Sequence, residues 1–190
     1  MLVTITGASG VGKTTLMRWL MRMHDGVKPL LSTTTRKPRE SDIEGEYEYI
    51  TDHLFQMMER IEAFLWAVEV HGNHYGTRIK IVRASLHPRF NIIAPLVHSA
   101  VVKLHAYAKE HGFARQLRSL YILSPGPQIL KNRLEGRESH ARPEDVSRRL
   151  EECIPWDEEA QNSSVPYLMF QDKNNLEAKS RFLSHMFLPS

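Results

Sequence analysis

The chain has 190 residues, of which 42 % are hydrophobic and 25 % charged, with a formal net charge of +3. This is the composition of a soluble globular protein with enough apolar residues for a core, organised as one domain or one core with insertions. One cysteine, Cys153, excludes an internal disulfide and points to a reducing compartment.

Leu2-Val3-Thr4-Ile5-Thr6 is a β-branched run that reads as a strand. It leads into Gly7-Ala8-Ser9-Gly10-Val11-Gly12-Lys13-Thr14, the pattern G-x-x-x-x-G-K-[ST] of a phosphate-binding loop. Glycines let the backbone turn tightly, so that several N–H groups converge on one anion. Lys13 is placed to reach β and γ phosphates, and the Thr14 hydroxyl to hold Mg²⁺. From Thr14 a helical pattern begins, with Leu16, Leu20 and Met23 on one face. Strand, glycine loop and helix N-terminus in that order form an anion site, expected to bind a nucleotide through Gly7 to Thr15, including Thr15 itself.

Leu30 to Thr35 reads as a second strand, followed by a polar turn from Lys37 to Gly45. Glu46 to Thr51 alternates with period two and puts Tyr47 and Tyr49 on one face. Thr51 is placed to cap a short helix whose Leu54, Met58 and Ile61 share a face. Ala67 to Val70 is a strand that runs into a glycine-punctuated turn, His71 to Thr77. Asn91 to Ala94 is another strand, ended by Pro95, which has no N–H for the ladder. A helix from Leu96 to His111 carries Val97, Val101, Leu104 and Ala108 on one face, with Gly112 at C′.

Ser119 to Leu123 is a short strand; a helix containing Ile129, Leu130 and Leu134 follows its Pro/Gly turn. Val146, Leu150 and Cys153 mark a further helix that Pro155 should end or kink. Tyr167 to Phe170 is a final strand, and Asn174 to Glu177 resembles a capped helix start. Alternating strands and helices argue an α/β fold with a mainly parallel sheet.

Cations cluster in two groups: Arg36, Lys37 and Arg39, then Lys131, Arg133, Arg137, Arg142, Arg148 and Arg149. With no interleaved aromatic platform, these suit small-molecule phosphates rather than nucleic acid. The ten histidines form no zinc-ligand spacing. No apolar run reaches the roughly 18 residues of a membrane span. The strand at Leu2 leaves no room for a signal peptide ahead of the loop, so a cytoplasmic location is expected.

Three further stretches narrow the reading. Ser32-Thr33-Thr34-Thr35-Arg36-Lys37-Pro38-Arg39 resembles the S-x-T-T-R-x-P-R segment of guanylate kinases. Phe64 to Thr77 (FLWAVEVHGNHYGT) is similar to their F-L-E-W-A-E-V-H-G-N-Y-Y-G-T, and Leu130 to Arg137 to their lid sequence L-x-x-R-L-x-x-R. The resemblance implies a P-loop NTPase three-layer αβα core with a parallel sheet, covering 1–30, 84–125 and 150–190. It also implies an inserted small mixed-β acceptor-binding lobe at 31–83 and a helical lid at 126–149. The implied activity is ATP- and Mg²⁺-dependent phosphoryl transfer to a nucleoside monophosphate, with GMP or dGMP first. Alternatives are another phosphorylated acceptor (a different nucleotide or a ribose bisphosphate) or an inactive binding domain. The implied partners are small-molecule nucleotides, with the chain a monomer or dimer.

By the same resemblance Lys13, Arg39, Arg133, Arg137 and Arg149 serve catalysis. Ser32, Arg36, Arg39, Tyr47 (with Tyr49 as its alternative), Trp66, Tyr75 and Thr77 hold the acceptor, and Thr14 the metal. The chain departs from the family where its base-reading glutamate stands, which is Trp66 here. It departs again at the L-D-I-D strand end, which is Ile93-Ala94-Pro95-Leu96, and at Pro155. An indole offers no hydrogen-bond acceptor, so guanine loses one reader at Trp66.

Overall fold

The computed structural model describes residues 1–137, 143–151 and 153–171. Five strands form a parallel sheet: β1 (Leu2–Thr6), β2 (Val27–Pro29), β7 (Asn91–Pro95), β8 (Leu117–Leu123) and β9 (Tyr167–Gln171), in the order β2-β7-β1-β8-β9. β1 is central and all five of its residues are buried. A strand covered on both faces must be apolar or internally bonded throughout. Val3 and Ile5 pack with Leu16, Met17 and Leu20 of α1 (Lys13–Met23). Leu2, on the opposite face, packs with Ala100, Val101, Leu104 and Ala108 of α4 (His98–Glu110). Two apolar clusters on either side of one sheet make the three-layer core, and chain order reverses beside β1. Ligands of such sheets bind at that reversal, off the strands' C-terminal ends.

A second, mixed sheet has the order β4-β3-β6-β5. It consists of β3 (Ser32–Thr34), β4 (Tyr47–Tyr49), β5 (Phe64–Val70) and β6 (Asn73–Arg78), with β3 and β4 parallel and the other pairs antiparallel. The expected strand from Leu30 to Thr35 is shorter in the structure: only Ser32–Thr34 is strand, and β2 ends just ahead of it at Pro29. Pro29 ends the ladder of β2; the Leu30 N–H still bonds to the Ile93 carbonyl at 2.8 Å, and the Ser32 N–H to Glu46 at 2.9 Å. The chain passes between sheets within two residues.

The expected turn from His71 to Thr77 is also shorter than read. His71 (φ 51°) and Gly72 (φ 74°) both adopt positive φ, which closes a two-residue hairpin, and Asn73 onward is strand. Gly76 sits inside that strand because a Cβ there would come within 2.9 Å of the Phe64 ring. After β6 the short helix α3 (Ile79–Ser85) went unread.

Thr51 caps α2 (Asp52–Arg60), its hydroxyl accepting from the Leu54 N–H at 3.3 Å. The helix buries only Phe55, leaving Leu54 and Ile61 exposed instead of forming the expected face. Met23 of α1 is likewise exposed. Gly112 follows α4 at φ 76°, as a C′ glycine does. α5 (Pro127–Arg137), α6 (Pro143–Glu151) and α7 (Cys153–Gln161) complete the helices. Pro155 lies third in α7 and does not end the helical run, because early helix positions lack an intrahelical N–H bond in any case. The capped start at Asn174 to Glu177 lies outside the described residues.

Under the sheet, the Thr4 hydroxyl donates to Ser119 Oγ at 2.9 Å, and Ser119 Oγ pairs with His105 Nε2 at 2.8 Å. Burial holds the His105 pKa below its ordinary 6.5. Above that value the imidazole is neutral whether folded or unfolded. As pH falls through it the unfolded chain takes the proton first, so the fold loses stability. Thermal melts at about pH 5 and pH 8 should show less acid destabilisation in His105→Gln than in the parent, since glutamine does not titrate there.

Candidate active site

The loop leaves the C-terminal end of β1 through Gly7 at φ 145°, Gly10 at φ 84° and Gly12 at φ 104°. A Cβ on Gly7 would stand 2.5 Å from the Ile122 carbonyl oxygen of β8, so only glycine lets the chain turn there. Gly12 caps α1 in left-handed geometry, and among the described residues nothing but its own chain neighbours lies within 4 Å of where its Cβ would be. The loop runs straight into the N-terminus of α1, the end of a helix that suits an anion. Ala8 and Val11, between the glycines, are buried and anchor the loop in the core. Ser9 is half-buried beside them.

Lys13 Nζ bonds to the Gly7 and Ala8 carbonyls at 2.6 and 2.9 Å, which places its ammonium across the loop. Thr14 is half-buried and Thr15 exposed, both in the first turn of α1. These donors suit the phosphates of a nucleoside triphosphate. For Mg²⁺ the fit rests on the Thr14 hydroxyl. Ala94 and Leu96, at the end of β7, are buried apolar residues and supply no carboxylate. One hydroxyl with phosphate oxygens and water is a sufficient shell, because Mg²⁺ keeps several of its waters.

α5 covers the loop. Leu130 and Leu134 are buried against Gly10, whose Cβ position lies 2.9 Å from Leu130 Cδ1. That packing sets Arg133 over the loop, with Nη1 3.4 Å from the Val11 carbonyl. Arg149 lies half-buried in α6, its carbonyl accepting from Cys153 Sγ at 3.0 Å. The side chain of Arg137, the last residue of α5, lies outside the described ones.

The second sheet presents one face of hydroxyls. Strand alternation and register put Ser32, Thr34, Tyr47, Tyr49, Tyr75 and Thr77 together on it. Ser32 Oγ and Thr77 Oγ1 are 3.0 Å apart. The rings of Tyr47 and Tyr75 lie 6.2 Å apart, and the Arg36 guanidinium lies 5.0 Å from the Tyr47 ring centre and 5.9 Å from that of Tyr49. Both tyrosines thus meet Arg36. Arg39 is exposed at the edge of the same turn. This turn sits against the donor side: Arg18 of α1 bonds to the Ser41 carbonyl, and Ile43 packs on the cluster holding Ala8 and Val11.

Two acids in this face were not read from the sequence. Asp42 receives Arg36 Nη2 on Oδ1 at 2.8 Å and Nη1 on Oδ2 at 3.1 Å. Its Oδ2 also accepts from the Arg39 N–H at 2.7 Å and the Tyr49 hydroxyl at 2.6 Å. Burial works against both charges, yet the paired bonds outweigh it: Asp42 is held below the ordinary carboxylate value and Arg36 above its own. Burial and the Asp42 bond push Tyr49 up to about 12. Glu46 is buried, which raises its pKa, and burial with the Glu46 bond raises Tyr47 further. An acid within an arginine-flanked turn was the available signal for Asp42.

Trp66, expected among the acceptor-binding residues, is buried. It is 3 % exposed and packs with Leu30, Ala94 and Leu96 in the apolar cluster beneath the sheet. The register shifts between Phe64 and Trp66; past that irregularity Trp66 pairs with Thr77 and shares its strand face, while its ring packs in the apolar cluster.

A glycine loop and lysine at a helix N-terminus, a helix packed over them and an arginine–tyrosine face beside them are the parts of a P-loop phosphotransferase. The guanylate kinase family model matches residues 1–154, and the chain belongs to that family. It is a nucleoside monophosphate kinase. It is 35 % identical to the guanylate kinase of Neisseria gonorrhoeae over 148 residues, covering 77 % of this chain and 68 % of that protein. It is 34 % identical to that of Nostoc over 158 residues, covering 79 % and 72 %. The crystal structure of guanylate kinase from Anaplasma phagocytophilum shares the fold, with a TM-score of 0.59 at 19 % identity over 98 % of this chain and 83 % of that one.

Trp66→Glu would bury a carboxylate among Leu30, Ala94 and Leu96 at a cost of several kcal/mol. A fall in melting temperature on the order of 10 °C is expected by calorimetry, while Trp66→Phe should lose much less.

Proposed function

We propose that this enzyme transfers the γ-phosphoryl group of ATP, with Mg²⁺, to GMP or dGMP in the cytoplasm, as part of nucleotide metabolism. The observation that carries the proposal is the pairing of two anion sites: the Lys13 loop, and the Arg36–Tyr47–Tyr49 face whose turn packs on the loop's own cluster. Relatives called guanylate kinases, at 34–35 % identity, support the choice of acceptor. The Ser32 and Thr77 hydroxyls, 3.0 Å apart at the far end of the tyrosine face, are the polar groups offered to the base.

In this reading the core holds ATP on Gly7 to Thr15, the lobe from 31 to 83 holds the acceptor, and the lid from 126 to 149 closes over the donor. Arg36, Arg39, Tyr47 and Tyr75 grip the acceptor phosphate. A phosphate monoester has a second pKa near 6 and is already anionic at pH 7. It attacks without a general base, so catalysis reduces to alignment and charge neutralisation. Lys13, Arg39, Arg133, Arg137 and Arg149 surround the transferring group, arginine's planar fork suiting its oxygens. Mg²⁺, held by the Thr14 hydroxyl, supplies a charge that neutralises phosphate oxygens.

A second reading keeps the donor chemistry and changes the acceptor to another nucleotide or a ribose bisphosphate. Burial of Trp66, Ala94 and Leu96 favours it, since an apolar wall leaves guanine's N1 and N2 donors without a carboxylate. ADP release from ATP and Mg²⁺ across a panel of nucleoside monophosphates and sugar phosphates separates the two. GMP or dGMP is expected to give the highest kcat/KM; a clear preference for another acceptor selects the second reading. Lys13→Ala should lower kcat roughly 10²-fold or more with every acceptor.

A further inference from the structure

The acceptor side of the site already contains an anion. Asp42 takes four donor contacts at 2.6 to 3.1 Å: two from the Arg36 fork, one from the Arg39 backbone and one from the Tyr49 hydroxyl. A guanidinium fork, a backbone amide and a phenol converging on one point are the donors a phosphate oxyanion takes. Asp42 also cancels the charge of Arg36, and the Glu46 carboxyl lies close by. While Asp42 stays in place, Arg36 offers an incoming phosphate little net attraction.

We propose that Asp42 is a resident competitor in the acceptor-phosphate subsite, and that a phosphate monoester enters by displacing its carboxylate from Arg36, Arg39 and Tyr49. The proposal rests on the reading of Arg36 and Arg39 as acceptor ligands. Displacement needs movement of the turn, whose residues Lys37 to Ser41 are all exposed. The arrangement sets specificity by charge. A tethered carboxylate acts at an effective concentration on the order of millimolar, so a free monoanion gains nothing by replacing it. A monoester carries about −1.5 to −2 at pH 7 and brings a further oxygen. It alone exchanges favourably, and the site rejects carboxylates and other monoanions.

The test follows the Arg39 backbone N–H by ¹H–¹⁵N NMR while GMP, inorganic phosphate and acetate are titrated into the parent, Asp42→Asn and Arg36→Ala. Inorganic phosphate makes the result independent of base recognition. Asp42→Asn is expected to tighten GMP and inorganic phosphate by about tenfold, as loss of one opposing charge implies, and to gain acetate binding. Weaker or unchanged phosphate binding in Asp42→Asn, with its melting temperature kept, overturns the proposal and makes Asp42 a prop for Arg36. Asp42→Ser repeats the comparison should the asparagine variant fail to fold. Phosphate binding that is indifferent to Arg36→Ala overturns the acceptor reading itself.

Discussion

The close approach of Gly7 to β8 is the constraint on which the site depends. With the Ile122 carbonyl oxygen 2.5 Å from any Cβ there, the chain must leave β1 on a glycine. That turn brings the loop round to the N-terminus of α1, the end of a helix that suits an anion. Everything on the donor side follows from it. Ala8 and Val11 bury themselves to fix the loop, and Lys13 lies across it on the carbonyls of Gly7 and Ala8. Leu130 and Leu134 close down on Gly10, where a side chain would leave them no room, and carry Arg133 over the loop.

In the proposed reading the two anion sites are built from different chemistry. The donor site uses backbone amides and one lysine, which cradle a chain of phosphates without dictating its far end. The acceptor face uses a buried arginine stacked on tyrosines and tied to a carboxylate. A buried pair of that kind holds its geometry but neutralises its own charge. On the proposed function the lobe would supply shape and hydrogen bonds, while the core would supply fixed dipoles. Phosphoryl transfer between them needs both anions in line, and the bond from Arg18 to the Ser41 carbonyl ties the acceptor turn to the first helix.

The glycine loop, β1, the Thr51 cap and the Gly112 terminus were legible because each depends on neighbouring residues alone. Features set by tertiary contact were hidden. The run through Leu30 to Ser32 looks uniformly strand-like, and only partners in two different sheets divide it. β6 was masked by Gly76, whose role is to admit the Phe64 ring from the adjacent strand. Trp66 lies opposite Thr77, and its burial in the apolar cluster is set by Leu30, Ala94 and Leu96, which are distant in sequence. Asp42 lay in a stretch that reads as a polar turn; its four donors come together only once that turn folds back on Arg36 and Tyr49.

The proposed function requires one cleft to hold two phosphate groups end to end. Calorimetric titration with a bisubstrate mimic, adenosine and guanosine joined by a pentaphosphate, tests it most directly. The account predicts a single site that binds the mimic far more tightly than ATP or GMP alone, weakened both by Lys13→Ala and by Arg36→Ala. Binding no tighter than that of ATP, or weakened only by Lys13→Ala, would contradict it.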